Sequence, residues 1–306
     1  MVIKIKSNNI NKNTRVNRYK YLYKDLNEEK NIKKIKKYKL KKKKKLPLLI
    51  FFISLFFVII SSFQIIKWTK DNKSTNKETN KITDNIKVKK TYKDTKLIEQ
   101  NNEIANSNPY WDFIKMKLID VDLNELKKQN NETVGWIQVK GTNINYPFVQ
   151  HSDNSYYLSH DFSKNKNNAG WLFLDYRNNI NQINKNTIIY GHGRLDRTMF
   201  GSLKNIFKSD WLNDQNNYVI FISTEKENTM WQVFSTYRIK TTSDYLRINF
   251  QNDNDYQNFL DMITKRSEHN FNTPINTNDN ILTLSTCYNN EKKVVLHAKL
   301  IKYQKK

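Results

Sequence analysis

Cysteine is almost missing from this chain: Cys287 is the only one in 306 residues. A single thiol excludes an intramolecular disulfide and any cysteine-cluster metal site. The five histidines, His151, His160, His192, His269 and His297, show no metal-ligand spacing, and acidic clusters are sparse. Neither a zinc nor a calcium site is expected, and no cofactor. No internal repeat is present. A further absence is local: residues 46–66, LPLLIFFISLFFVIISSFQII, run for 21 positions without a charge.

As a helix, that run covers about 31 Å, enough to cross a hydrocarbon core. A buried core helix would carry a polar face, and this run shows little of one. A cleavable signal peptide would be shorter and end in a small-residue cleavage site, which does not follow here. A retained signal-anchor helix is therefore expected. Residues 1–45 hold 18 Lys/Arg against 3 Asp/Glu, a net of +15, and Lys41 to Lys45 stand directly before the apolar run. Positive flanks stay cytoplasmic, so a single-pass protein of the cell membrane is expected, its basic tail inside and everything after Ile66 outside. Most of the chain's +24 is thus a topology signal and not a nucleic-acid footprint. The lysine run also suits anionic lipid headgroups.

Four segments follow: a basic cytoplasmic tail (1–45), the membrane helix (46–66), a polar extracellular stalk (67–106) and a catalytic-size domain (107–306). The stalk is mostly Lys, Asn, Thr, Asp and Glu without sustained periodicity, so a mobile, partly helical linker is expected. Aromatic and patterned apolar residues begin near Pro109. Trp111 to Leu118 and Leu123 to Lys128 read as short helices, the second capped by Asp122. Strand patterns follow at 134–139, 143–149, 170–176, 187–190, 218–223, 230–240, 281–287 and 294–302. One amphipathic helix, 256–266, carries Phe259, Leu260 and Ile263 on one face, and a weaker one spans 200–207. Many strands and few helices around one core predict a mainly β fold, a closed or nearly closed barrel of about eight strands with helical additions.

Cys287 ends the alternating run Ile281-Leu282-Thr283-Leu284-Ser285-Thr286-Cys287. An external thiol with no partner is free, paired with another molecule, or reactive, against the plainer reading of a small buried hydrophobe. A reactive thiol needs a base or cation beside it. His192 is the histidine with the most suggestive context, just past the short strand Thr187-Ile188-Ile189-Tyr190-Gly191. His160 is equally readable as a structural residue, and alternation alone does not exclude His297.

Thr283-Leu284-Ser285-Thr286-Cys287 resembles the TLSTC signature of the sortases, membrane-anchored cysteine transpeptidases of Gram-positive bacteria. Tyr190-Gly191-His192, with Thr198-Met199-Phe200-Gly201-Ser202-Leu203 after it, resembles the histidine segment of the class B branch. So do Val134-Gly135-Trp136-Ile137, Tyr146-Pro147-Phe148-Val149-Gln150 and Asn168-Ala169-Gly170-Trp171-Leu172-Phe173-Leu174-Asp175. The resemblance runs in family order from about Trp111 to Lys302. It implies a sortase β-barrel with N-terminal helices and a helix before the cysteine strand. It also implies an activity: the thiol of Cys287 cleaves a C-terminal sorting motif of secreted proteins after threonine. The acyl group then passes to an amine of a peptidoglycan precursor or a pilin. His192 takes the general acid/base position, a task for the side chain whose charge changes near neutral pH.

One departure stands out. The family carries an arginine at the start of the strand after the cysteine, where it holds substrate and helps stabilise the oxyanion. Aligning the terminal strand puts Lys293 there, and no arginine follows Arg266. Lysine keeps the charge but loses the planar two-pronged donor. Three readings follow: Lys293 does the arginine's work with altered efficiency, Arg194 or Arg197 substitutes, or the enzyme is impaired. Ser285 and Thr286, just before the thiol, are candidate substrate-binding hydroxyls and equally ordinary strand residues. Two rivals belong to other classes: a sortase-like protein that only binds the cell wall, and a cysteine peptidase that hydrolyses wall peptides.

Overall fold

The structure, a computed structural model, describes residues 12–91, 95–98, 109–286 and 292–306, with the main chain alone for most of 12–45. Cys287 and residues 288–291 lie outside the described residues, as do 1–11 of the basic tail and 92–94 and 99–106 of the expected stalk. The chain divides into a unit Met1–Lys67 and a unit Trp68–Lys306.

The first unit is helical. Helix α1 (Lys12–Asn85) runs through it, and the stretch beginning at Leu46 is long and apolar enough to cross a membrane. Its apolar side chains, among them Leu49, Phe52, Phe57 and Ile65, are exposed. In water such a surface would drive aggregation, whereas hydrocarbon suits it.

The second unit holds the last turns of α1 and all the described strands. After α1 come β1 (Val88–Thr91), β2 (Lys96–Leu97), α2 (Tyr110–Phe113), β3 (Leu118–Val121), α3 (Asn124–Gln129), β4 (Thr133–Val139) and β5 (Asn145–Val149). Then follow β6 (Phe173–Leu174), β7 (Asn186–Gly191), α4 (Ser209–Leu212), β8 (Val219–Thr224), β9 (Glu227–Lys240), α5 (Asp253–Lys265), β10 (Ile281–Thr286) and β11 (Lys292–Lys305). Hydrogen bonding runs β10-β7-β6-β5-β4-β8-β9-β11, and β11 pairs back onto β10. The circle closes on eight strands, the barrel expected from the alternating segments. Strand β2 extends the sheet on β11, and β1 with β3 forms a separate two-stranded ribbon.

Closure gives every strand an inner and an outer face, and alternation decides which residues fill each. On β10 and β11, Leu282, Leu284, Val294, Leu296 and Ala298 join the main core, with Trp136, Phe148 and Trp171. The opposite face, with Ile281 and Val295, is covered by α5 through Tyr256, Phe259, Leu260 and Ile263. Burying each such side chain stabilises by roughly 1.5–3 kcal/mol, so α5 is a fixed cover. It starts earlier than the apolar pattern suggested because the side chain of Asn252 accepts the Asp255 N–H as an N-cap.

Four local expectations need correcting. The stretch 111–118 is helical only to Phe113, and its end is strand β3, where Leu118, Ile119 and Val121 are buried. The weaker helix at 200–207 is a short 3-10 turn, Leu203–Phe207. Asp122 accepts the Asn124 N–H, but the N-cap position of α3 is Leu123. Within 67–106, α1 continues to Asn85, and β1 and β2 pair with β3 and β11.

Candidate active site

The parallel β7–β10 and antiparallel β10–β11 pairings set one cross-strand row, Tyr190–Ser285–Val295. Paired residues share a face, here the outer one beside α5. His192 stands two residues past Tyr190. Lys293 stands two residues before Val295, paired with Ile239 of β9. Both side chains are half-buried. The β7 and β11 registers therefore set His192, just past the end of β7, and Lys293, near the start of β11, on either side of β10 where its described part ends at Thr286.

His192 is held by one backbone contact. Its Nε2–H donates to the carbonyl of Leu158 at 2.7 Å. A carbonyl can only accept, so the proton sits on Nε2, and Nδ1 is the nitrogen available for exchange. Leu158 ends a 3-10 turn, Tyr156–Leu158. Gly170 lies against the imidazole with φ +61: a Cβ there would come within 2.7 Å of His192 Cδ2 and 2.5 Å of the Tyr157 carbonyl. Only glycine both adopts this conformation without strain and leaves the ring its place.

The other four histidines have structural surroundings. His297 is buried between Thr283 and Tyr237, with 2.9 Å to each hydroxyl. Thr283 gives its proton to Asn186 Oδ1, so His297 Nδ1 donates to Thr283 and Nε2 accepts from Tyr237. Burial pushes this imidazole down to about 3, and it stays neutral. His160 Nδ1 bonds the Tyr156 carbonyl at 2.8 Å, and the ring stacks on Tyr156. His151 meets Glu132 at 3.0 Å, and His269 bonds the Tyr218 hydroxyl at 3.2 Å.

The hydroxyls of the two candidate substrate contacts have internal partners. Ser285 Oγ bonds the Tyr245 hydroxyl at 2.9 Å, and Thr286 Oγ1 accepts the Val294 N–H at 2.9 Å. Both residues are buried. Arg194 donates through Nε and Nη2 to Asp196 and through Nε to Thr198, with little of its side chain exposed. Arg197 is exposed, at φ +66. Among the described residues no group of three or more His, Cys, Asp or Glu could hold a metal ion.

Sequence reasoning missed the Leu158 carbonyl and Tyr245. The first is a backbone atom with no side-chain signature. The second sits in the connection between β9 and α5, which has no regular periodicity. Gly170 was visible inside the Asn168–Asp175 motif, without its purpose.

A sortase-domain family model matches residues 137–301. Sortase B of Staphylococcus aureus is 34% identical over 226 residues, which cover 71% of this chain and 90% of that protein. A solved Staphylococcus aureus sortase B–substrate complex is similar at TM-score 0.55 and 38% identity, covering 59% of this chain and 84% of that one. Sortase B from Bacillus anthracis in complex with AAEK1 is similar at TM-score 0.60 and 31% identity, covering 76% of this chain and 99% of that one. The chain belongs to the sortase family of cysteine transpeptidases, in its class B branch.

Proposed function

We propose that this enzyme cleaves a C-terminal sorting motif of secreted proteins after threonine and transfers the acyl group to an amine of the cell wall or of a pilin. Cys287 is the nucleophile, His192 the general acid/base, and Lys293 the cation in the position the family gives to arginine. What supports this reading is the strand register, which sets His192, just past the end of β7, and Lys293, near the start of β11, on either side of β10. In the sequence Cys287 directly follows Thr286, the last described residue of β10.

The reaction divides into two acyl transfers. The Cys287 thiolate attacks the threonine carbonyl, and negative charge builds on the oxygen. The Lys293 ammonium offsets that charge and favours the thiolate. The carbon–nitrogen bond breaks as protonated His192 gives a proton from Nδ1 to the leaving amine, which leaves a thioester. An acceptor amine then attacks the thioester and loses a proton to His192 Nδ1. The carbon–sulfur bond breaks, and the thiolate is restored. The Leu158 carbonyl keeps Nε2 protonated throughout, so proton traffic is confined to the other nitrogen.

The membrane helix and the basic residues before it support a cytoplasmic N-terminus and an extracellular catalytic domain. That side of the membrane is where secreted substrates and wall precursors meet the enzyme.

Transfer is separated from hydrolysis by adding an amine. The full-length protein is incubated with a fluorogenic peptide library of Asn-Pro and Ser-Pro motifs, with and without triglycine. The expected result is a triglycine conjugate that replaces the hydrolysed product as triglycine rises. A product unchanged by triglycine would instead mark a hydrolytic peptidase.

A further inference from the structure

Residues 71–82 of α1 read in sequence as part of a polar linker, yet one face of them is buried. Asn72, Thr75, Thr79 and Ile82 recur at helical spacing on that face. Only Ile82 is apolar. An apolar seam would serve simple attachment, whereas directional polar contacts set a register between two surfaces.

These contacts fall on one loop, the segment between Asp161 and Gly170. Glu78 Oε1 accepts both the backbone N–H and the hydroxyl of Ser163. Asn167 Nδ2 donates to Thr75 Oγ1 at 3.2 Å, and the Asn168 N–H approaches Asp71 Oδ2 at 3.4 Å. Among the described residues, Asn72 Oδ1, Thr79 Oγ1 and Glu78 Oε2 are buried without a partner. The seam therefore leaves polar groups unsatisfied, which attachment alone does not explain.

The far side of the same loop carries the acid/base histidine. The Asn167 N–H donates to the Ser159 carbonyl at 2.8 Å, and the Gly170 N–H to the Asn167 carbonyl at 3.0 Å. The Trp171 N–H donates to the Tyr157 carbonyl at 2.9 Å. Between Tyr157 and Ser159 lies Leu158, whose carbonyl holds His192 Nε2, and Gly170 is the residue against the ring. This loop thus touches α1 with one side, and with the other it sets Gly170 against the His192 ring and ties down the turn whose Leu158 carbonyl holds Nε2.

We propose that residues 71–82 of α1 are a positioning element for His192, acting through the 161–170 loop, with Glu78 and Thr75 as its positioning residues. The inference rests on the reading of His192 as the acid/base. It adds that the catalytic geometry depends on the helix directly following the membrane segment. A small shift of this loop moves the Leu158 carbonyl and Gly170 together, and misplacement of an acid/base by about 1 Å can cost roughly 100-fold in rate.

The test uses full-length protein in nanodiscs with a fluorogenic Asn-Pro motif peptide. Glu78→Ala and Thr75→Val are each expected to lower kcat about tenfold and leave KM within about twofold. Glu78→Gln, which keeps the acceptor for Ser163, should stay within about twofold of wild type. In parallel, the Hε1 resonance of His192, assigned by its loss in His192→Gln, should shift in the first two variants and not in the third. Unchanged kcat and an unchanged resonance in Glu78→Ala and Thr75→Val would overturn the proposal, whatever happens to melting temperature. Thr75→Val is nearly isosteric, so one variant keeps its fold. If the resonance shifts while His192→Gln still turns over normally, the positioning stands and the acid/base role fails.

Discussion

His192→Ala is expected to lower kcat/KM for a motif peptide by roughly 10²–10⁴-fold, the range for losing a positioned acid/base. The loss should fall on kcat, because in the proposed mechanism the imidazole moves a proton and does not grip the ground-state substrate. His192→Gln sharpens the point. Its amide can still donate to the Leu158 carbonyl, so local structure is preserved, but it cannot exchange a proton. Equal defects in the two variants would assign the loss to proton transfer. A near-wild-type rate in His192→Gln would assign the residue a structural role. The stability change in either case is small, since a single hydrogen bond of this kind contributes about 1 kcal/mol.

Lys293→Ala is expected to cost about 10²–10³ in kcat, the scale for removing one oxyanion donor. Lys293→Arg should preserve or raise the rate, because the guanidinium keeps the charge and adds a planar two-pronged donor. Substitution by a neighbouring arginine is the competing reading. Arg194 is poorly suited to it: both Nε and Nη2 are engaged by Asp196 and Thr198. Wild-type turnover in Lys293→Ala would nonetheless remove Lys293 from the mechanism and return attention to the exposed Arg197. Inactivity of wild type, Lys293→Arg and Cys287→Ala alike against every motif peptide would mark an impaired enzyme.

The barrel was legible because its strands obey a two-residue period and its helix α5 a 3.6-residue one. Legibility stopped where polar residues enter the ladder. β9 begins at Glu227 and β11 ends at Lys305, beyond the apolar alternation at 230–240 and 294–302. Those extra residues pair with each other, Glu227 with Lys305 and Asn228 with Gln304, so cross-strand partners hold them where hydrophobicity does not. β1, β2 and β3 were missed for a related reason: each is two to four residues long, too short for a period to show. The buried face of α1 was hidden because Asn72, Thr75 and Thr79 look like residues of a solvated linker, and only their burial, with Thr75 bonded to Asn167, sets them apart.

The site was legible as residue identities and not as contacts. Cys287, His192 and Lys293 came from motif and alignment, and strand register sets the latter two on either side of β10. What holds His192 is a carbonyl 34 positions away, which no sequence pattern encodes. The reverse case is His297. Its place inside a strand left it eligible, and only burial between Thr283 and Tyr237 reveals a neutral structural residue.

Whether the lone thiol carries the acyl group is tested most directly by mass spectrometry of the trapped enzyme. Full-length protein is mixed with a motif peptide without an amine acceptor, quenched in acid and digested. The expected result is a thioester adduct that maps to Cys287, disappears on adding triglycine and is absent from Cys287→Ala. Peptide cleavage at an undiminished rate in Cys287→Ala, with no adduct in wild type, would contradict it.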